Sequence, residues 1–496
     1  MRDDDGPRGG PGGGELTSDA VRRDAAARTG RRVVHLGLGN FHRAHQAVYT
    51  ADAQDPAEPW TITGVATTNR DVVATLRAQD MRYTVLTIAP DRVRADPIDV
   101  ITDAFTAADE PARVVDLLAD PGTSLVTLTV TEKGYTYLPG SRRLDLDDPG
   151  VAHDLRDPEP RTTVGRLARG LLRRAQGGGA PLTVLSCDNL AANGTFLRGL
   201  LTEFAGALPG ADGETLARYL DAVTFPNTMV DRIVPATTDE HRAQAAAAGF
   251  DDRVPVPAEP FRMWVMEDRF AAGRPAWERA GAILTDEVAA YEAIKVRFLN
   301  GTHSLLAYLG MLAGHPLIAD AVADEPIATA AWRLGDEYRP TVTVPAGFDL
   351  DHYRDDLFDR FANRPLGHLT RQVGSDGSLK LAQRVPAAVS WHLDHGRAPR
   401  VLALLVAAWI RAVGEPDSVT APAVGRAADP AADRLTALAE RTSGSEDLAR
   451  AVLADERLLG GGSTADPRFV TAVGYLLGAL REGGVRAATS EIGNTT

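Results

Sequence analysis

Between residues 31 and 187 short apolar runs alternate with amphipathic stretches. RRVVHLG (31–37) reads as a buried strand that enters a glycine turn and then a helix over 41–53. Further strand-like runs fall at 60–67, 83–89, 124–132 and 182–187, and helical spacing at 71–79, 112–118 and 164–175. Strands alternating with helices predict a mostly parallel sheet covered on both faces.

From Glu287 onward the strand signal nearly vanishes. Helical periodicity takes over at 289–312, 318–336, 399–413, 431–441, 446–454 and 467–481, punctuated by Pro and Gly. The expected class is therefore α/β: an N-terminal Rossmann-type doubly wound sheet followed by a mostly α-helical C-terminal domain. The boundaries are a flexible tail over 1–30, a dinucleotide-binding domain over 31–285, and a helical substrate and catalytic domain over 286–496.

Composition narrows the function. The net charge of −14 argues against nucleic acid and against anionic membrane surfaces. The longest apolar run, 401–410, is too short to span a bilayer, and the acidic, Gly-rich start has no apolar core of a secretory signal. A single cysteine, Cys187, fits a reducing compartment and excludes a thiolate-rich metal site. A cytoplasmic enzyme acting on a small molecule is expected, as monomer or dimer. Only three of the 53 basic residues are lysines: Lys133, Lys295 and Lys380. Lys can give up its proton in a suitable site and Arg cannot, so each lysine asks for a reason.

All three lie in motif-like segments. VVHLGLGNFHRAHQ (33–46) joins a strand to a helix through Gly37 and Gly39, a turn that lets backbone approach a pyrophosphate, with Asn40 and Phe41 beside it. The third glycine of that fingerprint is replaced by His42. Asp71 is the candidate for the ribose hydroxyls, and Arg70 beside it suits a 2′-phosphate, so NAD is favoured with NADP left open. TVTEKGY (129–135) ends a strand and presents Glu132 and Lys133 to cofactor or substrate. SCDNLAANG (186–194) presents Asn189 to a substrate oxygen, while Asp188 or Asn193 caps the next helix. FPNTMVDRIVP (225–235) adds Asp231, beside Arg232. DGSLKLAQR (376–384), with Arg371 upstream, offers Lys380 and Arg384 to a polyhydroxylated or carboxylate substrate.

The segment YEAIKVRFLNGTHSLLAYLG (291–310) carries the most chemistry. On an ideal α-helix Glu292, His303 and Asn300 project about 60°, 80° and 140° from Lys295, within one arc. An amine of depressed pKa can take a hydroxyl proton while hydride leaves to a nicotinamide, and an amide can stabilise the alkoxide. Zinc alcohol dehydrogenase cysteines and HxxxH or HExxH patterns are lacking, which favours a metal-independent mechanism.

These segments together resemble the polyol-specific long-chain dehydrogenases, the mannitol dehydrogenase family. GLGNFHRAHQ, TEKGY, SCDNLAANG, FPNTMVDRIVP, EPFRMWVMED and KVRFLNGTHSLLAYLG carry the likeness. It implies NAD(P) dependence without metal, Lys295 as general acid/base, and Asn189 and Asn300 on the reacting oxygen. It further implies His303 and Lys380 at the substrate and Glu292 in proton exchange with solvent. QVGSDGSLKLAQR (372–384) is more similar to the mannonate and arabinitol branches than to the mannitol branch. The reaction expected is interconversion of a C5–C6 polyol or aldonate and its ketose or ketouronate, with mannonate/fructuronate ahead of mannitol/fructose. A polyol-phosphate dehydrogenase and a non-catalytic dinucleotide-binding sensor remain the alternatives.

Overall fold

A computed structural model describes residues 31–138, 141–419 and 421–492. The expected tail over 1–30 lies outside the described residues. The chain divides into two compact units. Among the described residues the first takes 31–87, 93–258 and 262–288; the second takes 88–92, 259–261 and those from 289 to 492.

The first unit is built on six parallel strands: β1 (Arg31–Leu36), β2 (Trp60–Ala66), β3 (Ile101–Thr106), β4 (Thr123–Leu128), β5 (Leu182–Ser186) and β6 (Val223–Thr224). Their spatial order is β6-β5-β4-β1-β2-β3. The direction of winding reverses between β1 and β4, where an open α/β sheet leaves its ligand crevice. Successive side chains of a strand point to opposite faces, and both faces here are buried. Val34, Val126 and Val184 enter one core, with the helices Pro111–Ala119, Thr163–Gln176 and Asn193–Ala207. Val33, Leu125 and Leu185 enter the other, with Gln46–Asp52 and Arg70–Ala78. Strand Tyr83–Ile88 joins a separate sheet with Val93–Ile98 and Val256–Ala258. Thr228–Asp231 pairs antiparallel with Met263–Met266.

The second unit is helical. Its centre is the helix Arg400–Gly414, buried on every side from Val401 to Ile410, as an all-apolar helix must be. Pro399 before it has no side chain to cap the exposed amides, and the Glu337 carboxylate accepts from Val401 N and Leu402 N at 2.9 and 2.8 Å. Around it pack Thr302–Ala313, Glu325–Tyr338, Ala432–Arg441 and Pro467–Glu491. No described helix is long and apolar enough to cross a membrane.

Candidate active site

In the first unit the singled-out residues follow the C-terminal ends of β1, β2, β4 and β5, except Asp231, which ends the strand Thr228–Asp231. Gly37 has φ +104°, and a Cβ built there would stand 2.1 Å from Thr129 O. The backbone after β1 and the backbone after β4 meet too closely for any side chain, so glycine is required. Gly37 N and Leu38 N donate to Val65 O at the end of β2. His35 braces the turn from beneath, its Nε2 lying 3.1 Å from Gly37 O and 2.9 Å from Thr129 Oγ1. His42, in the place of the third glycine, stacks on His35 with ring centroids 3.3 Å apart. Burial pushes the His35 pKa down to about 3, so the brace is neutral. The helix expected over 41–53 is two short ones, Asn40–Ala44 and Gln46–Asp52, broken where His45 leaves helical backbone at φ −124°, ψ −84°. Asn40 is held by Arg43 Nη2 at 2.7 Å and donates to Thr237 Oγ1 at 3.2 Å; Phe41 stacks on His45. A glycine turn that a Cβ would fill, at the point where the sheet reverses direction, fits a dinucleotide pyrophosphate. Asp71 stands exposed at the start of Arg70–Ala78, while Asn69 caps that helix. The Arg70 guanidinium is paired with Asp109 by three contacts of 2.5–3.0 Å.

The loops after β4 and β5 are joined by one buried carboxylate. Asp188 accepts from Val130 N at 3.0 Å, Thr131 N at 2.8 Å and Tyr135 Oη at 2.7 Å. Thr131 sits at φ +66°, a strained conformation for a branched residue, immediately before Glu132 and Lys133. Burial, partly offset by those donors, raises the Asp188 pKa to about 6. Asp188 therefore holds a loop instead of capping a helix. Asn193 also does not cap: its amide bridges Asp188 O and Thr228 O, and its oxygen accepts from Thr228 N. Asn189 is exposed and Lys133 is exposed, Glu132 is half-buried, and Asp231 is buried at the end of its strand.

In the second unit, the stretch expected to be one α-helix contains a π-helix. Val288–Ile294 leads into π-helical Lys295–Gly301, and the α form resumes over Thr302–Ala313. A π turn bonds residue i to i+5. Asn300, five places after Lys295, is thereby brought toward the face of Lys295 instead of the ~140° that α spacing gives. Lys295 is 6% exposed. Glu292 and Asn300 are half-buried. Gly301 keeps helical dihedrals, and its glycine is required by packing: a Cβ there would fall 2.5 Å from Tyr338 Oη.

His303 is 8% exposed, its ring 4.7 Å from His368 and 4.9 Å from Phe361. Burial first, then the charges of His368, Arg384, Lys380 and Arg360, hold its pKa well below the imidazole range. Burial and Lys380 push His368 down to about 4. Among the described residues the buried His303 Nε2 has no hydrogen-bond partner. Lys380 donates to Val373 O at 3.1 Å. Arg384 Nη1 donates to Asn300 O at 2.9 Å and to Ser304 Oγ. Arg371 is exposed. Arg360 forks onto buried Glu259 at 2.9 and 2.8 Å. His368 and Arg360 carried no motif signal, and only Glu259 lay in a segment singled out by sequence.

The family described as mannitol dehydrogenase Rossmann domain matches residues 31–279, and mannitol dehydrogenase C-terminal domain matches 287–480. D-mannonate oxidoreductase of Escherichia coli K12 is 40% identical over 77% of this chain and 79% of that protein. D-arabinitol 4-dehydrogenase of Ralstonia nicotianae is 40% identical over 76% and 82%. The solved ternary complex of Pseudomonas fluorescens mannitol 2-dehydrogenase with NAD and D-mannitol is 34% identical, covers 95% and 96%, and superposes with a TM-score of 0.85.

Proposed function

This chain belongs to the mannitol dehydrogenase family, and from that premise we propose that it oxidises, reversibly, a secondary alcohol on a C5–C6 polyol or aldonate with NAD as acceptor. The observation that carries the reading is Lys295: one of three lysines in the chain, buried, and opening a π-helix with Asn300 five places on.

NAD held at the Gly37 turn would supply the hydride acceptor. Lys295, as free amine, takes the hydroxyl proton, and returns it in the reductive direction. Asn300 stabilises the oxygen as charge develops, a role the family resemblance gives to Asn189 as well. His303 is neutral at physiological pH, and its unsatisfied Nε2 offers a hydrogen bond to a substrate hydroxyl. An unmet buried polar atom costs about 1–3 kcal/mol, which a correctly placed hydroxyl recovers. Glu292, three residues before Lys295, exchanges its proton with water. Gly37, Gly39, Asn40 and Phe41 take the dinucleotide, with Asp71, Glu132 and Asp231 as its further contacts. Lys133, Lys380 and Arg371 are the cationic set for substrate.

An aldonate is favoured over a neutral polyol. The likeness to D-mannonate oxidoreductase and the cations of the second unit support it, since a carboxylate needs a cationic partner. The test follows NADH absorbance with mannonate, mannitol, arabinitol and sorbitol, using NAD and NADP in turn. Turnover with mannonate and NAD is expected to be fastest. Absence of turnover on every substrate with either cofactor overturns the proposal.

A further inference from the structure

Asn300 matters only if it is held where the reacting oxygen sits, and a π-helix is a less stable way to hold it than an α-helix. The second unit contains a network that fixes this segment from outside. Arg297, within the π turn, donates to Thr341 O and at 3.0 Å to Thr341 Oγ1. Thr341 Oγ1 donates at 2.7 Å to Tyr338 O. Tyr338 Oη donates at 3.2 Å to the backbone carbonyl of Arg384. Arg384 closes the circuit by donating through Nη1 to Asn300 O and Ser304 Oγ. Those two acceptors lie either side of the junction where π gives way to α at Thr302. The Tyr338 ring lies so close to Gly301 that a methyl group would strike it.

We propose that Arg384 is a positioning residue: its guanidinium, with the Tyr338 ring against Gly301, clamps the π-to-α junction and sets Asn300 relative to Lys295. This rests on the dehydrogenase reading above and sharpens it, because the basic cluster DGSLKLAQR otherwise offers Arg384 as a substrate carboxylate contact. The guanidinium spans Asn300 O and Ser304 Oγ, acceptors four residues apart, which a single backbone register brings within its reach. A displacement of about 1 Å at a reacting group costs about 100-fold in rate. The clamp therefore acts on kcat, whereas a substrate contact acts on KM and depends on which substrate is offered.

The experiment compares wild type, Arg384→Met and Arg384→Lys on each polyol and aldonate that the wild type turns over. Arg384→Met is expected to lose about 100-fold in kcat on all of them, with KM within about threefold and NADH affinity unchanged. Arg384→Lys, which keeps a donor for Asn300 O, is expected to recover part of the loss; it also carries the test should the Met variant fold poorly. In an Asn300→Ala background Arg384→Met should add no more than about twofold, because both changes remove one function. A KM increase confined to mannonate with kcat retained, or losses that multiply in the double variant, overturns the clamp. If the wild type turns over none of the panel, the dehydrogenase reading falls separately. Amide hydrogen exchange over 295–304 then decides: faster exchange in Arg384→Met supports the clamp, and unchanged exchange overturns it.

Discussion

The turn after β1 and the π-helix at Lys295 both present chemistry, but they are specified in different ways. At Gly37 the requirement is steric and local: a positive φ and a carbonyl 2.1 Å from any Cβ leave one residue type. Such a demand is written in the sequence as glycine and is read directly. At Lys295 the requirement is relational. Which side chains share its face depends on whether the helix is α or π, and that is set by Arg384 and Tyr338, some 90 and 40 residues downstream. A backbone-made site is thus legible residue by residue, while a side-chain site on a helix is legible only to the extent that the helix is regular.

Opposite kinetic signatures should follow, and they give the largest effects. Lys295→Ala removes the proton acceptor and is expected to lower kcat by about 10⁴-fold while NADH affinity stays within twofold. Fluorescence titration beside steady-state rates checks this; a variant with wild-type kcat sinks the assignment. Gly37→Ala is expected to do the reverse, weakening NADH binding by about 100-fold with kcat at saturating cofactor little changed. Should Gly37→Ala bind NADH normally, the dinucleotide is not received by that turn.

The same contrast explains what sequence could reveal of the fold. Strands β1, β2, β4 and β5 are apolar runs because parallel strands are buried on both faces. β3 escaped because Thr102 and Asp103 interrupt its run. Tyr83–Ile88 was readable as a strand, but periodicity carries no information about its partner, and it pairs in a different sheet. The helical run 318–336 breaks into Ile318–Ala323 and Glu325–Tyr338, since Pro326 suits a helix start and ends the one before. In the site, Lys295 stood out through the rarity of lysine. The buried Arg360–Glu259 pair, 101 residues apart, and the His303–His368 ring contact did not, because only folding brings those residues together.

Asp188 tests whether the first unit also depends on a side chain at a distance. With its pKa at about 6 instead of the ordinary carboxyl value, the folded chain binds that proton more tightly than the unfolded chain. Stability from this group is therefore lost as pH rises from about 4 through about 6. Asp188→Asn removes the titration, so wild type should lose about 3 kcal/mol relative to the variant across that window. Thermal unfolding of both proteins from pH 4 to pH 7 measures it. A difference that stays flat with pH means the carboxyl is not held away from water, and that the strained Thr131 turn is maintained by something else.

The smallest expected effect concerns the rim of the same half-site. Arg70 follows β2, where a 2′-phosphate would be read, but its guanidinium is taken by Asp109 in an exposed bidentate pair. Exposed pairs are weak and easily exchanged for solvent, so Asp109 restrains Arg70 only slightly. A 2′-phosphate must still compete with that carboxylate and approach its charge. Asp109→Asn removes both obstacles without touching the Gly37 turn. It should raise NADPH affinity about fivefold relative to NADH, the most that a pair of this kind can withhold. Parallel titrations with the two reduced cofactors read the ratio directly. A ratio equal to that of wild type would mean that Arg70 does not meet the 2′ position, and that cofactor choice rests with other groups after β2, Asp71 among them.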